Sequence, residues 1–193
     1  MGNIKPRIIS KRVISEGKFV RFVRTVYADS SGELREWESF ERVNCNGIVA
    51  IVPVTEDSDV LLIRQFRPPV NGYVVEFPAG LNDKTETLEA AARRELLEET
   101  GYSAEEMIFL TEGPISSGAS GEILTSFFAR GLTFKGIGQR DETEDIEVLK
   151  IPMERLYDTL SALRSQGDYV DLKIYGLIEL AKKHLGRKTR TIS

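Results

Sequence analysis

Apolar and polar positions alternate with a period of two over much of the first eighty residues. "KFVRFVRTVYA" (18–28) and "LREWESFERV" (34–43) interleave β-branched or aromatic residues with charged ones, and "DSSGE" between them supplies a turn. "GIVAIVPV" (47–54) and "VLLIRQF" (60–66) are near-continuous apolar runs joined by "TEDSD", the pattern of buried strands. "GYVVEFPAG" (72–80) predicts a further strand that runs into a loop at Gly80. Farther on, "MIFLTEG" (107–113) and "ILTSFFARG" (123–131) predict a strand pair around the loop "PISSGASGE" (114–122), and "DIEVLKIP" (145–152) one more strand. Two amphipathic helices, "MERLYDTLSALRSQG" (153–167) and "LKIYGLIELAKKHLG" (172–186), follow. The fold class is α+β, a sheet core with helices packed on it. Residues 1–44 read as an antiparallel β extension and 45–193 as the main domain.

One segment departs from this strand pattern. Between Gly80 and Tyr102, "GLNDKTETLEAAARRELLEETGY" predicts a single helix with Thr87 as N-cap, Glu89 in the first turn and Gly101 as the left-handed residue that ends it. At about 100° per residue, Glu95, Glu98 and Glu99 share one arc of the helix. Leu96 and Leu97 lie off that arc and are read as core anchors. Like charges at this spacing cost about 0.2–0.5 kcal/mol per pair. Either the face is solvated, or its carboxylates hold a hard divalent cation through oxygen ligands.

Composition narrows the remaining chemistry. The chain has 193 residues, 41% hydrophobic, enough for one core. A net charge of −4 gives no global basic field, so nucleic acid is not an expected partner. Cys45 is the only cysteine and His184 the only histidine, which disfavours a Cys/His nucleophile and a histidine-based metal site. No apolar stretch approaches the roughly 20 residues of a membrane span, and a cytoplasmic location is expected.

The 80–102 segment fits the pattern G-x5-E-x7-R-E-U-x-E-E-x-G-U at Gly80, Glu86, Arg94, Glu95, Leu96, Glu98, Glu99, Gly101 and Tyr102. It resembles the Nudix box, the loop–helix of hydrolases that cut nucleoside diphosphates linked to another group. "WESFER" (37–42), "RQFRPPVNGYVVEFPAG" (64–80) and "EETGY" (98–102) extend the resemblance to the ADP-ribose pyrophosphatase branch. The resemblance implies an α/β/α sandwich around a central mixed sheet. It also implies a homodimer built by swapping the N-terminal antiparallel sheets.

By the same resemblance, Glu95, Glu98, Glu99, the main-chain carbonyl of Ala79 and Glu144 are metal ligands for Mg²⁺, with Mn²⁺ as a substitute. Glu86 and Arg94 form a structural ion pair beside the structural glycines Gly80 and Gly101. Trp37 stacks on the adenine next to Glu38, and Phe19 of the partner supplies the opposing ring. Arg67 and Arg42 reach the diphosphate, and Glu76 contacts or supports the ligand. Glu122 meets the terminal ribose from a loop with Ser117 where the branch carries proline. Glu142, or else Glu98, accepts the proton of the attacking water. The implied reaction is hydrolysis of a nucleoside diphosphate sugar, ADP-ribose, to AMP and ribose 5-phosphate. A GDP-mannose or other nucleotide-sugar pyrophosphatase is the alternative enzyme, and a non-catalytic nucleotide sensor the alternative class.

Overall fold

The structure, a computed structural model, describes residues 5–136 and 145–185. Three antiparallel strands open it: β1 (Arg7–Glu16), β2 (Val20–Ala28) and β3 (Leu34–Arg42), in the order β1-β2-β3. The alternation over 18–43 thus becomes β2 and β3, paired in register from Val20↔Arg42 to Ala28↔Leu34. The bounds of β1 are an addition to the sequence reading, which placed residues 1–44 in a β extension without delimiting this strand. Every one of its residues is exposed, so no hydrophobic periodicity marks it, and its backbone bonds to β2 hold it in place.

Two four-stranded mixed sheets form the main domain. One has the order β7-β4-β9-β8, from β7 (Ala79–Leu81), β4 (Ile48–Pro53), β9 (Ile123–Phe134) and β8 (Tyr102–Pro114). The other runs β10-β5-β6-β11, from β10 (Ile146–Pro152), β5 (Asp59–Arg67), β6 (Gly72–Glu76) and β11 (Tyr169–Val170). The helices are α1 (Leu88–Thr100), α2 (Leu156–Ser165) and α3 (Lys173–Ala181). β8 begins five residues before the apolar run "MIFLTEG", directly after α1, because its early residues "YSAEE" are held by pairing with β9 rather than by burial.

β4 explains the sandwich. All six of its residues are buried, and they divide by parity. Val49 and Ile51 pack with Ala91, Ala92 and Leu96 of α1 and with Phe127 and Ala129 of β9. Ile48, Ala50 and Val52 face the opposite way, into a larger core with Val60, Leu62, Leu156, Leu160, Ile174 and Ile178. The strand therefore carries α1 on one face and the α2/α3 layer on the other. Among the described residues, no helix is long and apolar enough to cross a membrane.

Candidate active site

α1 forms where its caps predict. The Thr87 hydroxyl accepts a hydrogen bond from the Ala90 N–H at 3.2 Å, and Gly101 closes the helix at φ 78°, donating its N–H to the Leu97 carbonyl. Ala91, Ala92 and Leu96 are fully buried; burial of Leu96 alone is worth about 2–3 kcal/mol. Leu97 corrects its assignment as a second core anchor: it lies about 100° around the helix from Leu96 and stays exposed. With small residues under the helix, its acidic face is brought close to β7, the short strand that carries Ala79 and Gly80.

The contact there is tight. A β-carbon on Gly80 would lie 1.9 Å from Cδ of Glu95, so only glycine leaves room for that carboxylate. Arg94 relieves the repulsion among the acids. Its Nη1 donates to Glu95 Oε1 at 2.8 Å and to Glu98 Oε2 at 2.9 Å, while Nε and Nη2 reach Glu86 Oε1 at 3.0 and 2.8 Å. Nη2 also donates to the Leu81 carbonyl at 3.2 Å, stitching the loop before the helix to β7. Burial works against the guanidinium's charge, but the bonds to Glu86, Glu95 and Glu98 outweigh it and raise its pKa. Glu99 is buried, and its Oε2 accepts the Ala79 N–H at 2.9 Å. In a β-strand a residue's N–H and C=O point to the same side, so the Ala79 carbonyl also faces the helix.

The described residues contain no group of three or more His, Cys, Asp or Glu already converged as a metal centre. Glu95 and Glu98 are instead tied to Arg94, and Glu99 to the Ala79 N–H. Their donor chemistry nevertheless fits Mg²⁺: three carboxylates and a neighbouring carbonyl are hard oxygen donors, and Gly80 keeps the space beside Glu95 open.

This acidic face lines a cleft of about 840 Å³ that also contains Arg42, Arg67, Glu76 and Glu122. Glu76 Oε1 accepts from Arg67 Nε at 2.8 Å and from Gln65 Nε2 at 3.0 Å. Burial raises the Glu76 pKa, and Arg67 only partly offsets it. Arg42 Nε donates to Glu122 Oε1 at 2.6 Å. Asp171 and Lys173, at the start of α3, line the same cleft and were not anticipated. Their signal in the sequence is only "DLK" before a helical pattern, where Asp171 Oδ1 accepts the Lys173 N–H at 2.9 Å.

Trp37, Glu38 and Phe19 do not line this cleft. Trp37 is half-exposed and donates its indole N–H to the Gly118 carbonyl at 2.9 Å. Glu38 accepts from Arg24, and Phe19 is exposed with Lys18 Nζ 5.0 Å from its ring centre. Glu142 and Glu144 lie outside the described residues.

Comparison with known proteins agrees with the fold. The NUDIX domain model matches residues 46–170. The chain is 35% identical to ADP-sugar pyrophosphatase of Mus musculus, over 95% of its own length and 90% of the relative's. It is 32% identical to ADP-ribose pyrophosphatase of Bacillus subtilis, covering 95% and 96% of the two chains. GDP-mannose pyrophosphatase of Yersinia pestis is 30% identical, with 94% and 91% covered. A crystal structure of an ADP compounds hydrolase superposes with a TM-score of 0.72 at 25% identity, covering 83% of this chain and 85% of that one. The chain belongs to the Nudix family.

Proposed function

We propose that this Nudix protein is a magnesium-dependent pyrophosphohydrolase that cleaves the diphosphate of ADP-ribose to AMP and ribose 5-phosphate. The observation that carries the reading is the shared cleft: the box carboxylates on one wall, and two arginines paired to carboxylates, Arg67–Glu76 and Arg42–Glu122, on the others. The relatives named for ADP-sugar and ADP-ribose support the adenine nucleotide.

Arg67 and Arg42 are forked donors suited to phosphoryl oxygens, and each is held by a carboxylate that fixes its plane. Water attacks one phosphorus in line, the bond from that phosphorus to the bridging oxygen breaks, and the bridging oxygen leaves with the other phosphoryl group. The proton of the water passes to Glu142, or to Glu98. Mg²⁺, or Mn²⁺ in its place, would be held by Glu95, Glu98, Glu99, the Ala79 carbonyl and Glu144, and supplies positive charge to the diphosphate oxygens when bound.

Trp37 and Phe19 both carry exposed rings outside the cleft lining, which suits a base held between Trp37 of one copy and Phe19 of the other. The same reading makes the protein a cytoplasmic homodimer joined through the N-terminal sheets, without a nucleic-acid partner. A guanine nucleotide sugar is the second reading, favoured by the GDP-mannose relative.

A panel of nucleotide sugars assayed with Mg²⁺ and with Mn²⁺ tests the substrate, and faster turnover of GDP-mannose than of ADP-ribose would replace the adenine assignment. Glu98→Gln and Glu99→Gln should fold and lose turnover by about 10²–10⁴-fold. Wild-type turnover of none of these sugars would point instead to a nucleotide sensor.

A further inference from the structure

The loop 115–122 is anchored on the outer edge of β3. Trp37 Nε1 donates to the Gly118 carbonyl at 2.9 Å, and the Phe40 N–H donates to the Ala119 carbonyl, also at 2.9 Å. Phe40 and Ser120 form a parallel bridge, and Arg42 meets Glu122 at 2.6 Å. Within the loop, the N–H groups of Ala119 and Ser120 both turn back onto the Ser116 carbonyl at 2.9 Å. Ser120 is buried, and its hydroxyl lies 3.3 Å from Glu122 Oε2. Three positions of one strand therefore hold the loop that presents Glu122 to the cleft. Trp37 is the outermost of the three, and its indole N–H is committed to the loop. Half of the residue's surface remains accessible.

We infer that Trp37 is a positioning residue as well as a stacking surface: through Gly118 it fixes the loop that carries Glu122, so that the nucleobase and the far sugar are read by one connected unit. The inference rests on the reading above, in which the ring takes the base and Glu122 the sugar. A base lying on the indole stiffens the same side chain that holds the loop. A substrate lacking either end would then lose more than the contacts of that end.

Trp37→Phe keeps a ring and deletes the N–H, and it tests this in the full-length protein. Without ligand, amide exchange at Phe40, Ala119 and Ser120 should quicken about fivefold, the factor for one lost hydrogen bond, while the thermal midpoint stays near that of wild type. For ADP-ribose, kcat/KM should fall about tenfold more than for the methyl ester of ADP, which has a diphosphate linkage but no distal sugar. Unchanged exchange, or equal losses on the two substrates, overturns the coupling and leaves Trp37 as a ring alone. Should wild type hydrolyse neither substrate, the proposed function fails, and the exchange result still decides the coupling. If Trp37→Phe does not fold, Glu122→Gln runs the test from the other end. Trp37 is the only tryptophan, so its emission should shift when the loop loosens, and unchanged emission overturns the inference.

Discussion

Gly80 faces Glu95 so closely that a single added methyl group would lie 1.9 Å from the carboxyl carbon. Glu95 is held on its other side by Arg94, so it cannot move aside without breaking that ion pair. Gly80→Ala should therefore cost about 1–3 kcal/mol in urea unfolding, the usual penalty of overpacking, and reduce kcat about a hundredfold or more. Activity within threefold of wild type would remove Gly80 from the site.

Arg94 joins three carboxylates that are otherwise mutually repulsive. Arg94→Gln leaves Glu86, Glu95 and Glu98 without their shared cation. Breaking a buried pair typically costs about 3–5 kcal/mol, and the partial exposure of these groups lowers the expected loss to about 2–3 kcal/mol in metal-free buffer. Added Mg²⁺ should narrow the deficit, because a dication replaces the lost charge. A deficit that is the same with and without Mg²⁺ would mean that the ion does not bind at these carboxylates.

Glu76 supplies a pH signature. Its pKa is raised in the fold, chiefly by burial. A carboxyl with a raised folded pKa contributes most below its unfolded value, and that contribution is lost as pH rises through the folded pKa. Glu76→Gln mimics the protonated form at every pH. The thermal midpoint of the variant minus that of wild type should therefore become more positive between pH 4 and pH 7. A flat or falling difference would contradict burial as the dominant cause.

The N-terminal sheet predicts association. Ile8, Ile9, Val13 and Phe22 are exposed on its strands, together with Trp37 and Phe19. Val13 and Trp37 share one face of the sheet and Phe22 takes the other, so the proposed contact between two copies uses the Val13–Trp37 face. Light scattering should give twice the chain mass, and Val13→Asp should shift the mass toward that of one chain. A wild-type monomer would end the two-copy base site.

Much of this was legible before any coordinates. β4 and β5 announce themselves as apolar runs, and α1 by its caps at Thr87 and Gly101 with Ala91, Ala92 and Leu96 on one side. The 80–102 motif brought Gly80, Glu86, Arg94 and the three glutamates into one neighbourhood, and the structure joins them physically. The bounds of β1 were hidden because strand pairing needs no buried side chain, and its residues are all exposed. Asp171 and Lys173 were hidden for a different reason: they reach the cleft only through the packing of α3 against β4, a long-range arrangement that local patterns do not encode.

The alanines beneath α1 imply that the reach of its glutamates is governed from below. Ala91 and Ala92 sit directly against the sheet. Broadening either one to valine would lift the whole helix relative to the strand that carries Gly80. In the proposed metal site, ion preference would then be a matter of floor height, adjustable at two methyl groups without altering any acid.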